Sequence, residues 1–217
     1  AALRLGGGEL DYAGLGMIAL SFGLVVAIVV YAFGAVSGAH INPAVTLGLA
    51  ATGRFPWPET VSYILAQLLG AVLGGLLLLA TFGAGAIDSN VGGTALGEGV
   101  NAAQGGIAEA VGTFLLMFTI MAMAVDGRTP GSWAGWMIGL SVTCSILVVG
   151  PLTDSAINPA RTFGPYVATV IGGGSPPWGE FVVYLLGPIV GAVVAAFTYD
   201  VIARPSPAGE EVVDETA

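Results

Sequence analysis

Five stretches of this chain are long and apolar enough to cross a lipid bilayer as helices: 14–36, 61–87, 107–125, 133–150 and 181–203. Such a crossing needs about 20 apolar residues. The bilayer core offers no water to the backbone, so only helices and closed barrels span it. Barrel strands alternate apolar and polar residues, and these runs do not. The chain therefore reads as an all-α membrane protein. Its charged residues make up only 9%, against about 25% in ordinary globular domains, too few to clothe a soluble core. Lys is absent and the net charge is −9. With nothing to neutralise a phosphate backbone, no nucleic-acid partner is expected.

Two further apolar segments, Pro43–Ala51 and Pro159–Ile171, are too short to span. Both open on the same tripeptide, Asn42-Pro43-Ala44 and Asn158-Pro159-Ala160. Asn is a favoured N-cap and Pro a favoured first helical residue, so each segment is predicted to be a short helix that starts inside the membrane. The stretch 42–81 also resembles the stretch 158–198: Trp57 pairs with Trp178, Tyr63 with Tyr184 and Gly70 with Gly191 at one offset. An odd number of spans separates the copies, so they face opposite sides of the membrane. This is an inverted repeat, which brings the functional site to the midplane where the copies meet. The expected organisation is one channel domain over 1–203, with a first repeat 1–103, a second repeat 104–203 and an acidic tail 204–217. The span before the second Asn-Pro-Ala copy contains Glu109. Its counterpart in the first copy would precede Ala1, so five of six spanning helices are expected here, with the first missing from this sequence.

Opposed short helices put two positive dipole ends at one level. The side-chain amides of Asn42 and Asn158 add donors there. A passing water accepts from both, its hydrogens turn outward, and a proton wire is interrupted while the field repels cations. Upstream of each Asn the chain is expected to be non-helical, over 38–41 and 153–157. Irregular backbone at this depth must be buried or line a cavity, so the carbonyls of Gly38, Ala39, His40 and Ile41 are expected to form a ladder along a pore. His40, the only His, is weighed as a pH sensor, but a packing role beside the vestibule is preferred. Cys144 is alone, so no disulfide within the chain and no metal cluster are expected; it reads as a small core residue. No cofactor is implied.

The segments Ser37-Gly38-Ala39-His40-Ile41-Asn42-Pro43-Ala44 and Asn158-Pro159-Ala160-Arg161 resemble the paired signatures of the aquaporin, or major intrinsic protein, family. The resemblance runs from Gly14 to Ala203 and is closest to archaeal-type members. It implies an aquaporin-like fold with two half-helices meeting at mid-membrane, and a homotetramer with one pore per subunit. It makes Arg161 the cation of a selectivity filter and places Phe22, Ile146 and Ser155 beside it. It also implies that Glu109 supports the second pore loop, where spacing alone leaves open a charge near a helix end. Water-selective members carry a His where Ile146 stands, so a wider and more apolar constriction is expected.

The expected function is a passive channel for water and other small neutral solutes, excluding protons and ions. A glycerol or small-solute facilitator is the alternative. A secondary transporter also uses inverted repeats, but apart from Arg161 and Glu109 no charged coupling site falls within a span. No nucleophile–base or metal constellation suggests an enzyme. Arg54, Arg128 and Arg204 on one side, against Arg4 on the other, set a multi-pass orientation with the tail in the cytoplasm.

Overall fold

The computed structural model describes residues 11–203. Arg4, Arg204 and the acidic tail lie outside the described residues. The elements are α1 (Tyr12–Ser37), α2 (Pro43–Ala51), α3 (Trp57–Phe82), a short α4 (Ala84–Asp88), α5 (Ala102–Ile120), α6 (Ala134–Thr153), α7 (Pro159–Ile171) and α8 (Phe181–Ile202). Five helical segments among the described residues are long and apolar enough to cross a membrane. They carry α1, α3, α5, α6 and α8. The half-helices α2 and α7 lie among them, their N-terminal ends together. The side of the bundle where α2 ends is called the Arg54 face, and the opposite side the Trp178 face.

Local chemistry sets the element ends. Asp11 caps α1 by accepting from the Gly14 N–H at 2.6 Å. Asn101 and Gln104 form a reciprocal capping box at the start of α5, the arrangement that satisfies two orphan donors at once. This start puts Glu109 two turns inside α5 and fully buried, deeper than a run beginning at 107 suggests. The second span, α3, stops at Phe82, not Ile87. Gly83, at φ 60° and ψ −145°, breaks it, a conformation that only glycine adopts at little cost. Thr153, expected in the second pore loop, is the last residue of α6.

Two helix pairs form the frame: α1 runs along α6, and α5 along α8. Both depend on glycine at the crossing. A Cβ on Gly23 or Gly139 would enter the other helix's backbone, and one on Gly191 would enter the Ala110 carbonyl. Small residues let backbones approach this closely where lipid supplies no hydrophobic drive. Gly70, the repeat partner of Gly191, has no atom within 4 Å of its Cβ direction. Among the described residues α3 packs on α7 as α8 packs on α2, so the repeat also holds in these helix contacts. Cys144 faces outward from α6 and is exposed. Its apolar neighbours misled the core reading, because a membrane helix is apolar on its lipid face too.

On the Arg54 face, α5 ends in a wide turn, Met121–Val125, closed by the Asp126 N–H on the Met121 carbonyl at 3.0 Å. The adjoining loop is fastened to α8. Tyr199 donates to Asp126 at 2.7 Å, and Arg128 pairs with Asp126 and donates to the Ala203 carbonyl. Arg54, after α2, pairs with Asp200 through two bonds of 3.0 and 2.5 Å. The last turn of α8 is thereby the common anchor for both chain segments on this side.

Gly139→Val should lower the thermal midpoint in detergent by the equivalent of about 3 kcal/mol, since backbone on both sides of the crossing has to move. Arg128 holds the Asp126 carboxyl well below the usual carboxylate range. A depressed carboxylate stabilises the fold above its unfolded pKa of about 4 and loses that effect as pH falls toward the folded value. The gap in melting temperature between wild type and Asp126→Asn should therefore be widest at neutral pH and narrow below about pH 4, and added salt should shrink it.

Candidate pore

Each pore loop enters its half-helix through the same backbone turns. Counted back from the Asn, the fourth, third and first residues have positive φ: Gly38, Ala39 and Ile41 at 79°, 47° and 45°, and Asp154, Ser155 and Ile157 at 57°, 47° and 46°. Five of the six are not glycine, and each costs about 1–2 kcal/mol in this region. The strain persists because other groups over-determine it. Asn42 caps α2 by accepting from Ala44 N–H at 2.9 Å. Asn158 caps α7 by accepting from Ala160 N–H at 3.0 Å and Arg161 N–H at 3.4 Å. Each Asn amide then donates across to the other loop: Asn42 Nδ2 to the Ile157 carbonyl at 2.7 Å, and Asn158 Nδ2 to the Ile41 carbonyl at 2.9 Å.

This reciprocal pair changes part of the sequence reading. Ile41 lines the cavity, but its carbonyl already accepts from Asn158. One donor of each amide is spent on the protein, and the second remains for a permeating molecule.

Glu109 holds the second loop. Its Oε1 accepts from Thr153 Oγ1 at 2.6 Å and Ala156 N–H at 2.8 Å, and its Oε2 from Ile157 N–H at 2.5 Å. The first loop is held differently. Tyr63 Oη donates to the Ser37 carbonyl at 2.7 Å and accepts from His40 N–H at 3.3 Å. Tyr184, the repeat partner of Tyr63, is fully buried, and its hydroxyl has no partner among the described residues. The pairing of these tyrosines was legible in the sequence; the clip made by Tyr63 was not. The His40 ring packs on Phe55 and Tyr63, with centroids at 4.9 and 4.8 Å, and its Nδ1 lies 3.2 Å from Thr46 Oγ1. Thr46 Oγ1 also lies 3.0 Å from the Asn42 carbonyl and accepts from Gln67 Nε2 at 2.9 Å.

The loops form one wall of a cavity of about 470 Å³ that reaches from Arg54 to Arg161. Gly38, Ala39 and His40 contribute to this wall, with Ser155, Ala156 and both Asn side chains. The facing wall is apolar, built from Val26, Val30, Ile138, Val142 and Ile146. A molecule inside finds hydrogen bonds along one side only. Pro43, Ala44, Pro159 and Ala160 are buried behind the loops.

Phe22, Ile146 and Arg161 line both this cavity and a second one, which lies between α1, α3 and the loop residues 89–93 on the Trp178 side. They stand at the junction, and Ser155 lies on the Arg54 side of it. The Arg161 guanidinium carbon sits 5.3 Å from the Phe22 ring centroid, and Nη1 donates to the Gly92 carbonyl at 2.9 Å. Gly92 is a contributor that the sequence reading missed. The loop after α4 returns to the pore and is tied down along its length: Tyr166 Oη donates to the Thr94 carbonyl at 2.8 Å, Ala95 N–H to Asp154 Oδ2 at 3.1 Å and Leu96 N–H to Glu180 Oε2 at 2.8 Å. The only hint in the sequence was the turn-forming Asn90-Val91-Gly92-Gly93.

The comparisons with known proteins agree with this geometry. Residues 3–199 match the family model described as Major intrinsic protein. The chain is 48% identical over 194 residues to Aquaporin AqpM of Methanothermobacter marburgensis, covering 89% of this chain and 78% of that one. It is 49% identical over 199 residues to Probable aquaporin AqpM of Archaeoglobus fulgidus, covering 91% and 79%. Among solved structures, the aquaglyceroporin from Plasmodium falciparum superposes with a TM-score of 0.80 at 26% identity, covering 91% of this chain and 86% of that one. A strained pair of loops cross-bonded at the centre of a helical bundle, a lone arginine at its narrow junction and a family match along nearly the whole chain lead to one assignment: this chain belongs to the major intrinsic protein family, the aquaporins.

Proposed function

We propose that this protein is a passive channel for water and small neutral solutes, with its pore running past Asn42, Asn158 and the junction at Phe22, Ile146, Ser155 and Arg161. The observation that carries the reading is the one-sided cavity. Its polar wall offers hydrogen bonds in a row, its apolar wall offers none, and a cation guards the end. Relatives named as aquaporins and a structural neighbour named as an aquaglyceroporin support the same solute class. Water moves along the carbonyls of the first loop. At mid-membrane the free amide hydrogens of Asn42 and Asn158 orient it. Two helix N-termini, each equivalent to about half a positive charge, oppose cations there. Arg161 adds a full charge at the junction.

Ile146 bears on selectivity. An apolar side chain at the junction takes away one hydrogen-bonding ring and favours solutes that carry carbon. The protein is read as passing water together with small polyols. The Arg54 face is proposed as cytoplasmic, which places the tail there too. A homotetramer with four separate pores is proposed from family membership. The exposed apolar ridge of α3, Val61, Leu65, Leu69, Leu73 and Leu77, suits burial against lipid or a neighbouring subunit.

Stopped-flow light scattering on proteoliposomes tests the function directly. Water efflux well above that of protein-free vesicles is expected, with measurable glycerol re-entry; a response no faster than bare lipid refutes the channel. Glu109→Ala removes the acceptor of two buried loop N–H groups at a cost of about 2–6 kcal/mol. It should reduce water flux per channel by roughly tenfold or more. Glu109→Gln keeps the volume and one acceptor, and should fall between the two.

A further inference from the structure

The two pore loops match turn for turn, and their side chains differ at three of the four positions before the Asn. The left-handed residue that ends the preceding helix is Gly38 in the first repeat and Asp154 in the second. Both donate their N–H to the carbonyl four residues back, Gly34 and Gly150. Glycine takes this conformation freely, and Asp is one of the few other residues that visit it routinely. The turn therefore accepts a carboxylate without requiring one.

That side chain stands at the entrance. Asp154 lines the cavity on the Trp178 face together with Arg161, Phe22 and Ile146, and it directly precedes Ser155. Its Oδ2 accepts from Ala95 N–H at 3.1 Å. Among the described residues nothing donates to Oδ1. The Arg161 side chain gives one bond to Gly92 and has other N–H groups to offer. The lining of this cavity thus holds both a strong acceptor and a strong donor. Water needs neither in a fixed arrangement. A molecule with neighbouring hydroxyl groups can donate to one and accept from the other. An anion attracted by Arg161 meets the carboxylate.

We propose that Asp154 is a specificity-determining residue at the Trp178-face entrance, where its free carboxylate oxygen and the Arg161 guanidinium form an acceptor–donor pair for the hydroxyls of a small neutral polyol. This rests on the channel reading above and names the solute class that its entrance favours.

Asp154→Asn separates this role from a structural one. Asn tolerates the left-handed turn and its carbonyl can still take the Ala95 N–H, so only the charge is lost. With glycerol as the probe in proteoliposomes, the ratio of glycerol to water permeability should fall about fivefold, as expected when a charged acceptor becomes a neutral one. Asp154→Gly, which copies the first repeat, should lower the ratio at least as far. A ratio unchanged or raised in either variant overturns the proposal and leaves Asp154 as a fastener for the 92–97 loop. Wild-type water flux without glycerol flux also overturns it while the water channel stands. Absence of both fluxes sinks the channel reading, and the proposal with it.

Discussion

Non-helical backbone in the middle of a bilayer has no water to bond with, and every unpaired group there costs several kcal/mol. This constraint shapes the molecule. Two loops leave the helical state at mid-membrane, and each supplies what the other lacks. Asn42 serves the Ile157 carbonyl and Asn158 serves the Ile41 carbonyl. Glu109 takes two of the stranded N–H groups, and Tyr63 bridges the remaining gap in the first loop. Residues 38–41 and 155–157 of the two loops line the cavity.

Much of this was legible in the sequence because membrane burial leaves a coarse signature. Run length identified the five spans, and Asn-Pro-Ala at two places identified the half-helices to the residue. Both are local signals, set by capping and by proline's fixed φ. Glu109 was visible as an acid within an apolar run. What could not be read was which donors it serves, since these lie 47 and 48 residues away. The Tyr63 clip, the return of Gly92 to Arg161 and the cross-bonding of the Asn amides are long-range in the same sense. Cys144 marks a second limit. Inside a membrane, apolarity no longer separates the interior from the surface, so the run around it could not tell one face of α6 from the other.

The repeat is strict in its turns. The same φ pattern recurs at 38–41 and 154–157, because the geometry of entering a half-helix is fixed. Glu109 on α5 serves the second loop and Tyr63 on α3 the first. Tyr184, at the position of Tyr63, has a buried hydroxyl with no partner among the described residues.

The cross-bonds also set an order of events in biosynthesis. The partner that satisfies Asn42 lies 115 residues further along the chain. At a translation speed of about 5–20 residues per second, the first re-entrant loop waits roughly 6–23 s before that carbonyl exists. Throughout this interval the first half-helix lacks the surroundings that justify its position. The nascent chain must shelter it at the insertion machinery or hold it near the aqueous interface, and draw it to mid-membrane only when the second loop arrives. The two halves of the pore are therefore completed in one step, however long apart they were made.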